Sequence, residues 1–555
     1  MNEYQLANLI FPNIKKSILD LEKEYPAREL KDNAKVTRFA PSPTGFLHTG
    51  SLFTSLVASK LAKDSDGVFF TRLEDTDTKR EIKGSGELLI KQLERFNIIP
   101  NEGYLGEKES GKYGPYKQSN RKEIYEIVIK EMIAKGLAYP CFMSEEELAN
   151  LRKEQDENKE ITGVYGKYAK YRDLDPLETI KMIKEGKPYV IRFKSHGNHE
   201  NKIKVHDEIR GDLELTQNDQ DVVILKSDGL PTYHFAHVVD DHFMHTNLVT
   251  RGEEWLPSLP IHIEMFRALN FKVPKYAHLP VIMKMDNGTR RKLSKRKDKE
   301  ASVDYFFKEG YEPHALLVYL MTIANSNYED YIVRTKDYNL DNFKFSLKKM
   351  SLDGALFDND KLTFYCKEIL SKMTKEEITE KALKWSKEFS PELFNFINKD
   401  KNRFMGIMNI EREKKNPRKD YAKYSDIYPL VKFFDDDEYL KLSSNILNEI
   451  NPNISSEVMI NFMNEYKNSY DVSTDEQNWF NNVKNVASKY GFCIDNKLYK
   501  EDKTKWVGNI NDACEIIRVA LTTRKVTPNL FSIMKILTDK EIKDRIDNFI
   551  KILSK

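Results

Sequence analysis

At 555 residues the chain exceeds one ordinary domain, and with 40% apolar residues it has material for three to five packed units. Charged residues reach 32%, yet Lys+Arg (89) and Asp+Glu (87) nearly cancel to +2, which argues against a uniformly basic nucleic-acid coat but permits one basic face. No apolar run approaches the ~20 residues that span a bilayer, and the four cysteines (Cys141, Cys366, Cys493, Cys514) form no C-x-x-C pair, which argues against a disulfide framework or a cysteine zinc site.

Leu6, Leu9, Ile10, Ile14, Ile18 and Leu21 recur at roughly helical spacing, so one amphipathic helix from about Glu3 to Glu24 is predicted to pack on the following domain. The acids Glu3, Asp20, Glu22, Glu24 and Glu29 do not suit a targeting signal, so a cytoplasmic location is expected. Val36–Ala40 reads as a strand, Pro41-Ser42-Pro43-Thr44-Gly45 as a break, His48–Lys63 as a helix and Val68–Glu74 as the next strand. That order opens a parallel α/β sheet, whose ligand belongs where the first strand ends and the first helix begins.

Residues 119–231 have the pattern of an insertion. Arg121–Lys135 is helical, Ser144-x-x-Glu147 is a capping-box signal, and Tyr189–Lys194 and Asp221–Lys226 read as strands. The α/β pattern resumes near Tyr233 and runs past Ile261. Beyond about Phe345 the chain reads as helical to its end, with Asp435-Asp436-Asp437-Glu438 as a solvated loop or helix start.

Two motifs carry chemistry. His48-Thr49-Gly50-Ser51 stands at the mouth of the first helix, where backbone N–H groups and the positive dipole end suit phosphate. Alone, H-x-G is a weak signal. The basic run Arg290-Arg291-Lys292-Leu293-Ser294-Lys295-Arg296-Lys297 reads, by itself, as an exposed loop. Two ammonium groups are, however, what an α-phosphate transition state with a pyrophosphate leaving group requires.

Together these motifs resemble those of bacterial-type glutamyl-tRNA synthetases. Arg38–Gly50 is similar to the family's HIGH segment, with Ser51 at the fourth position, and Lys292-Leu293-Ser294-Lys295-Arg296 to its KMSKS loop. Thr71–Asp77, Tyr116–Ser119, Lys226–Ala236, Val238–His242, Arg251–Leu256, Arg518–Thr522 and Thr527–Phe531 extend the likeness over about residues 35–555, leaving the N-terminal segment outside it. The resemblance implies a multidomain α/β architecture: an N-terminal helical extension (1–34), a Rossmann-like catalytic domain (35–118 and 232–287), an α+β insertion for the tRNA acceptor end (119–231), a stem-contact region carrying the KMSKS-like loop (288–345) and an all-α anticodon-binding region (346–555). It implies ATP-dependent activation of L-glutamate and its transfer to the 3′ end of tRNA(Glu), with Mg²⁺ accompanying ATP and tRNA bound before activation. The catalytic set it implies is His48, Gly50, Lys292 and Lys295, and the ATP-binding set adds Ser51 and Ser294 to these. Arg38 and Arg251 are to hold the two carboxylates of glutamate with Tyr233 as hydroxyl donor, and Glu74, supported by Ser42, the ammonium.

Cys141 is alone in the insertion, so neither the zinc some relatives hold nor any other structural metal is expected. A monomer is expected, and no membrane partner. Arg412 and Lys414–Lys419 are either a solvated charge run or an anticodon surface, with Arg418 the candidate contact. The glutamine enzyme opens its motif with P-x-P-N-G and ends in β-barrels, which this chain does not match. The truncated relative that modifies a tRNA base lacks the C-terminal half. An enzyme that also charges tRNA(Gln), or a non-catalytic tRNA-binding paralogue, are the remaining alternatives; intact His48, Gly50, Lys292 and Lys295 argue against the second.

Overall fold

The computed structural model describes residues 2–77, 79–294, 296–352 and 354–555. The chain divides into two units, Met1–Phe306 with Leu317–Asn359, and Phe307–Leu316 with Asp360–Lys555.

In the first unit the strand Val36–Phe39 runs parallel to Val68–Thr71, and the helix Thr49–Lys63 connects them, so the predicted strand–loop–helix–strand opening is present. Pro41 and Pro43 cannot continue a ladder, and Gly45 takes φ +125°, a region open to glycine, where the chain turns toward the helix. The strand Leu248–Gly252 lies beside Val36–Phe39: the Asn247 N–H donates to the Val36 carbonyl (3.2 Å), and Asn247 Oδ1 accepts from the Val36 N–H (2.8 Å). Leu248–Gly252 in turn pairs in parallel with Lys275–Leu279. The carboxyl ends of these parallel strands therefore open on one side, the position where α/β sheets bind ligands.

Residues 119–231 contain the antiparallel sheet Ala138–Cys141, Val190–Phe193 and Val223–Leu225, and Ser144 caps the helix Glu145–Glu157 through a capping box with Glu147. One hairpin was not expected: Lys202–Asp207 pairs with Gly211–Thr216 and joins the strand Lys275–Leu279 through Tyr276↔Asp207. Its alternation of Ile203 and Val205, then Leu213 and Leu215, packs one face on Val249, Leu259 and Ile263.

The N-terminal segment differs from expectation. It forms two helices, Glu3–Ile10 and Ile18–Glu24, in place of one. Pro12 disfavours helical geometry at the residue before it, and Phe11 leaves the helix at φ −121°, ψ 66°. Leu6, Ala7, Phe11, Ile18 and Leu21 belong to the core shared with the helices Lys122–Ala134 and Tyr233–Phe243. Lys130 Nζ donates to the carbonyls of Phe11 (3.1 Å) and Ile14 (2.7 Å), which fixes the break between the two helices.

The second unit is helical, with Asp435 capping Asp436–Ser443 as its acidic cluster suggested, plus one two-residue parallel pairing, Phe492–Cys493 with Gly508–Asn509. Among the described residues no helix is long and apolar enough to cross a membrane.

Candidate active site

A cleft of about 1300 Å³ opens at the carboxyl ends of the parallel strands. Arg38, Ser42, His48, Gly50, Ser51, Glu74, Tyr233, Arg251 and Lys292 all line it, although more than 250 residues separate the first from the last. Ser294 stands one residue beyond the lining residue Leu293, with its N–H donating to Asp298 Oδ2 (2.8 Å). Lys295 lies outside the described residues.

His48 is the N-cap of the helix Thr49–Lys63, and its Nδ1 accepts from the Gly50 N–H at 2.9 Å. A neutral ring that accepts at Nδ1 carries its proton on Nε2, so the other edge is a donor. The Gly50 amide is thus committed to the imidazole, and Gly50 has a second purpose: a Cβ there would sit 3.1 Å from His48 Nδ1. The loop after the second motif is stitched to the first, since Val303 N–H donates to the Leu47 carbonyl (3.2 Å) and His48 bridges Ser302. Within that loop Arg291 forks onto Asp298 with Nη1 (2.6 Å) and Nη2 (2.9 Å), while Lys292 Nζ is 3.3 Å from Glu254 Oε1.

Behind Arg38 lies a buried ion network. Arg38 Nε meets both oxygens of Asp241 at 3.2 Å, and Arg72 Nη1 donates to Asp241 Oδ1 (2.7 Å) and Nη2 to Glu74 Oε1 (3.0 Å). Burial alone would raise the Asp241 carboxyl, but Arg38 and Arg72 hold it well below the usual carboxylate range. Glu74 goes the other way: burial raises it, and Arg72 and Arg38 only partly oppose that. A cation placed against Glu74 would favour its charged form. Asp240 anchors the next layer, accepting from Arg121 Nε (2.6 Å), Gln118 Nε2 (2.8 Å) and the Tyr125 hydroxyl (2.9 Å).

Arg251 is 5% exposed, and among the described residues no carboxylate pairs with it. Its Nε donates to His278 Nε2 (3.0 Å), Nη1 to His262 Nδ1 (3.2 Å) and the Tyr233 hydroxyl (3.4 Å), and Nη2 to the Trp255 carbonyl (3.2 Å). Tyr233 packs against Trp255 at the cleft wall, with ring centroids 4.3 Å apart and planes tilted by 37°. Burial pushes His234 down to about 4 and His237 down to about 3, and drives His262 well below its ordinary value. These rings are neutral at physiological pH.

In the second unit the basic run separates. Arg412 is half-buried and caps the end of the helix Asn359–Lys372 through the carbonyls of Leu370 (2.7 Å), Ser371 (3.3 Å) and Met373 (2.9 Å). Lys414 pairs with Glu411 and Lys419 with Glu368. Arg418, half exposed, holds Asp420 with two bonds and lines a cavity of about 110 Å³ with Tyr421, Phe433, Phe434 and Arg524.

Arg72, Asp240 and Asp241 fell inside the motif segments but were not singled out. Asp207, His262 and His278 are isolated polar residues whose only signal is the contact itself. Among the described residues no group of three or more His, Cys, Asp or Glu side chains is arranged to hold a metal.

Residues 35–364 match the family model for class I tRNA synthetases (E and Q), catalytic domain. Curated glutamate–tRNA ligases from Clostridium perfringens are 43% identical (strain SM101, 100% of both chains) and 44% identical (strain 13, 98% of this chain and 100% of the relative), and that of Acetivibrio thermocellus is 43% identical (99% and 100%). Such coverage takes in the N-terminal segment, which the motif likeness left out. A crystal structure of a glutamate tRNA ligase from Elizabethkingia meningosepticum, in complex with its amino acid, superposes with a TM-score of 0.74 at 27% identity, over 94% of this chain and 99% of that one. With this cleft, this family match and these full-length relatives, the chain belongs to the class I aminoacyl-tRNA synthetases, in the glutamate–tRNA ligase family.

Proposed function

We propose that this chain activates L-glutamate with ATP, supplied as its magnesium complex, and transfers the glutamyl group to the 3′-terminal ribose of tRNA(Glu). The α-carboxylate oxygen attacks the α-phosphorus, the bond to pyrophosphate breaks, and a ribose hydroxyl then attacks the acyl carbon and releases AMP. No protein nucleophile is required; catalysis is positioning and charge stabilisation. Arg38, fixed by Asp241, meets the α-carboxylate, and Glu74 the α-ammonium. Arg251 and the Tyr233 hydroxyl take the side-chain carboxylate. The Nε2–H of His48 donates to a phosphate oxygen, and Lys292 exchanges its exposed Glu254 partner for phosphate, with Lys295 sharing that work.

The observation that carries this reading is Arg251, a buried guanidinium whose described partners are all neutral. Such a charge asks for an anion from outside, and glutamine offers only an amide, at a cost of roughly 1.5–3 kcal/mol per charge-assisted hydrogen bond. Pyrophosphate exchange with ATP, glutamate and tRNA(Glu) tests it. Lys295→Ala is expected to lower exchange and charging together by about two orders of magnitude with the fold intact. Absence of exchange in the natural protein, or full exchange in the variant, would contradict the mechanism.

In the second unit, the aromatic cavity flanked by Arg418 and Arg524 suits a splayed base, whose face stacks on an aromatic ring while its edge accepts from a guanidinium. We assign anticodon reading to this place.

A further inference from the structure

A guanidinium only donates, so each neighbour of Arg251 must present a lone pair. His278 Nε2 accepts from it (3.0 Å), which puts the ring proton on Nδ1, and Nδ1 donates to Asp207 Oδ2 at 2.7 Å. His262 likewise accepts at Nδ1 and donates from Nε2 to His234 Nδ1 (3.0 Å). Each ring is fixed as a single neutral tautomer by the arginine it holds.

Asp207 is itself immobilised. Its Oδ1 accepts from the N–H groups of Ile209 (3.0 Å) and Arg210 (2.9 Å), and its Oδ2 from the N–H of His278 (3.0 Å). Asp207 and His278 are both fully buried. The hairpin strand Lys202–Asp207 meets the strand Lys275–Leu279 at Tyr276↔Asp207, two residues from His278, so the added strand delivers this carboxylate to the back of the imidazole. A carboxylate touching Arg251 directly would cancel its charge and make a neutral amide as acceptable as a carboxylate. With an imidazole between them, Arg251 is held without being neutralised.

We propose that Asp207 and His278 are positioning residues that set selectivity for glutamate over glutamine, by holding Arg251 through one imidazole while leaving its charge for the substrate's side-chain carboxylate. This rests on the reading that Arg251 meets that carboxylate.

The test measures the KM values for glutamate and for ATP, kcat, and the glutamate-to-glutamine selectivity of adenylate formation with tRNA(Glu) present. His278→Leu removes the acceptor and is expected to raise the glutamate KM and erode selectivity, each about tenfold or more, as for loss of one charge-assisted hydrogen bond. The KM for ATP should not move. His278→Gln, whose side-chain oxygen faces Arg251 while its amide faces Asp207, should recover most of the loss. Asp207→Asn keeps the side chain's shape but turns a donor toward the His278 N–H and ring, and should shift both values in the same direction by roughly threefold or more. Arg251→Ala is the control for the underlying reading. If it leaves the glutamate KM unchanged, that reading fails. If it impairs binding while His278→Leu and Asp207→Asn keep natural KM and selectivity, the present proposal fails alone. A uniform loss in kcat and both KM values with selectivity intact, or no recovery by His278→Gln, marks a merely structural role and also overturns it.

Discussion

Because Nδ1 of His48 is committed to the Gly50 amide, the ring both caps its helix and points its proton-bearing edge elsewhere. The two jobs separate by substitution. Asparagine is a good N-cap but lacks the imidazole's second nitrogen, whereas alanine has neither. His48→Asn should therefore melt within a few tenths of a kcal/mol of the natural protein, and His48→Ala about 1 kcal/mol lower. Both should lose about a hundredfold in pyrophosphate exchange if Nε2–H serves the nucleotide. Calorimetry and exchange assays on the pair decide it, and natural activity in His48→Asn would take the ring out of nucleotide binding. Glu74 follows the same logic: its buried carboxyl sits above its ordinary value, and a cation placed against it, the role proposed for the substrate ammonium, would favour its charged form.

Where one element's own sequence decides its form, the fold was legible. Val36–Phe39, the Pro41–Gly45 break and the capped helix after His48 follow from local propensity and turn chemistry, as does the Ser144 capping box. The break at Pro12 was equally local but was overridden by the apolar spacing on either side of it. What stayed hidden is pairing across distance. Asp207 and His278 are 71 residues apart, Arg38 and Asp241 203, and nothing in either partner's neighbourhood announces the other. The basic run of the second unit shows the same limit: Arg412 and Arg418 look alike in sequence, yet one closes a helix end and the other edges a cavity. Exchanging each for alanine should divide these roles. Arg412→Ala leaves carbonyls at the end of Asn359–Lys372 without their donor, and should destabilise the second unit by about 1–3 kcal/mol while sparing anticodon discrimination. Arg418→Ala should be nearly neutral in stability, its partner Asp420 being on the surface, and should lower discrimination between tRNA(Glu) and a variant altered only at the anticodon. Unchanged discrimination in Arg418→Ala would return that residue to the solvated charge run.

Across the whole molecule the titratable groups are unevenly shared. Of the 11 histidines, ten fall in the first unit and only His314 in the second. His237 and His234 are held neutral by burial, down to about 3 and about 4, against about 6.5 in an unfolded chain. A ring that takes its proton more readily when unfolded adds stability that is complete above about pH 6.5 and is lost as pH falls toward its folded value. By pH 5 this amounts to at most about 2 kcal/mol for each fully buried ring, and less for His234, which is partly exposed. Carboxylates with depressed values, Asp241 foremost, add a loss of the same sign only below about pH 4. Between pH 7 and pH 5 the first unit should therefore soften while the second barely changes. Native-state hydrogen exchange reads the two separately, because protection is reported amide by amide. The expected result is falling protection in the strands Val36–Phe39 and Leu248–Gly252 against constant protection in the helix Ile510–Thr522. Equal change in both units, or none in the first, would mean that burial does not hold His234 and His237 below their ordinary range, the Asp241 carboxylate 2.9 Å from His237 Nδ1 outweighing it there.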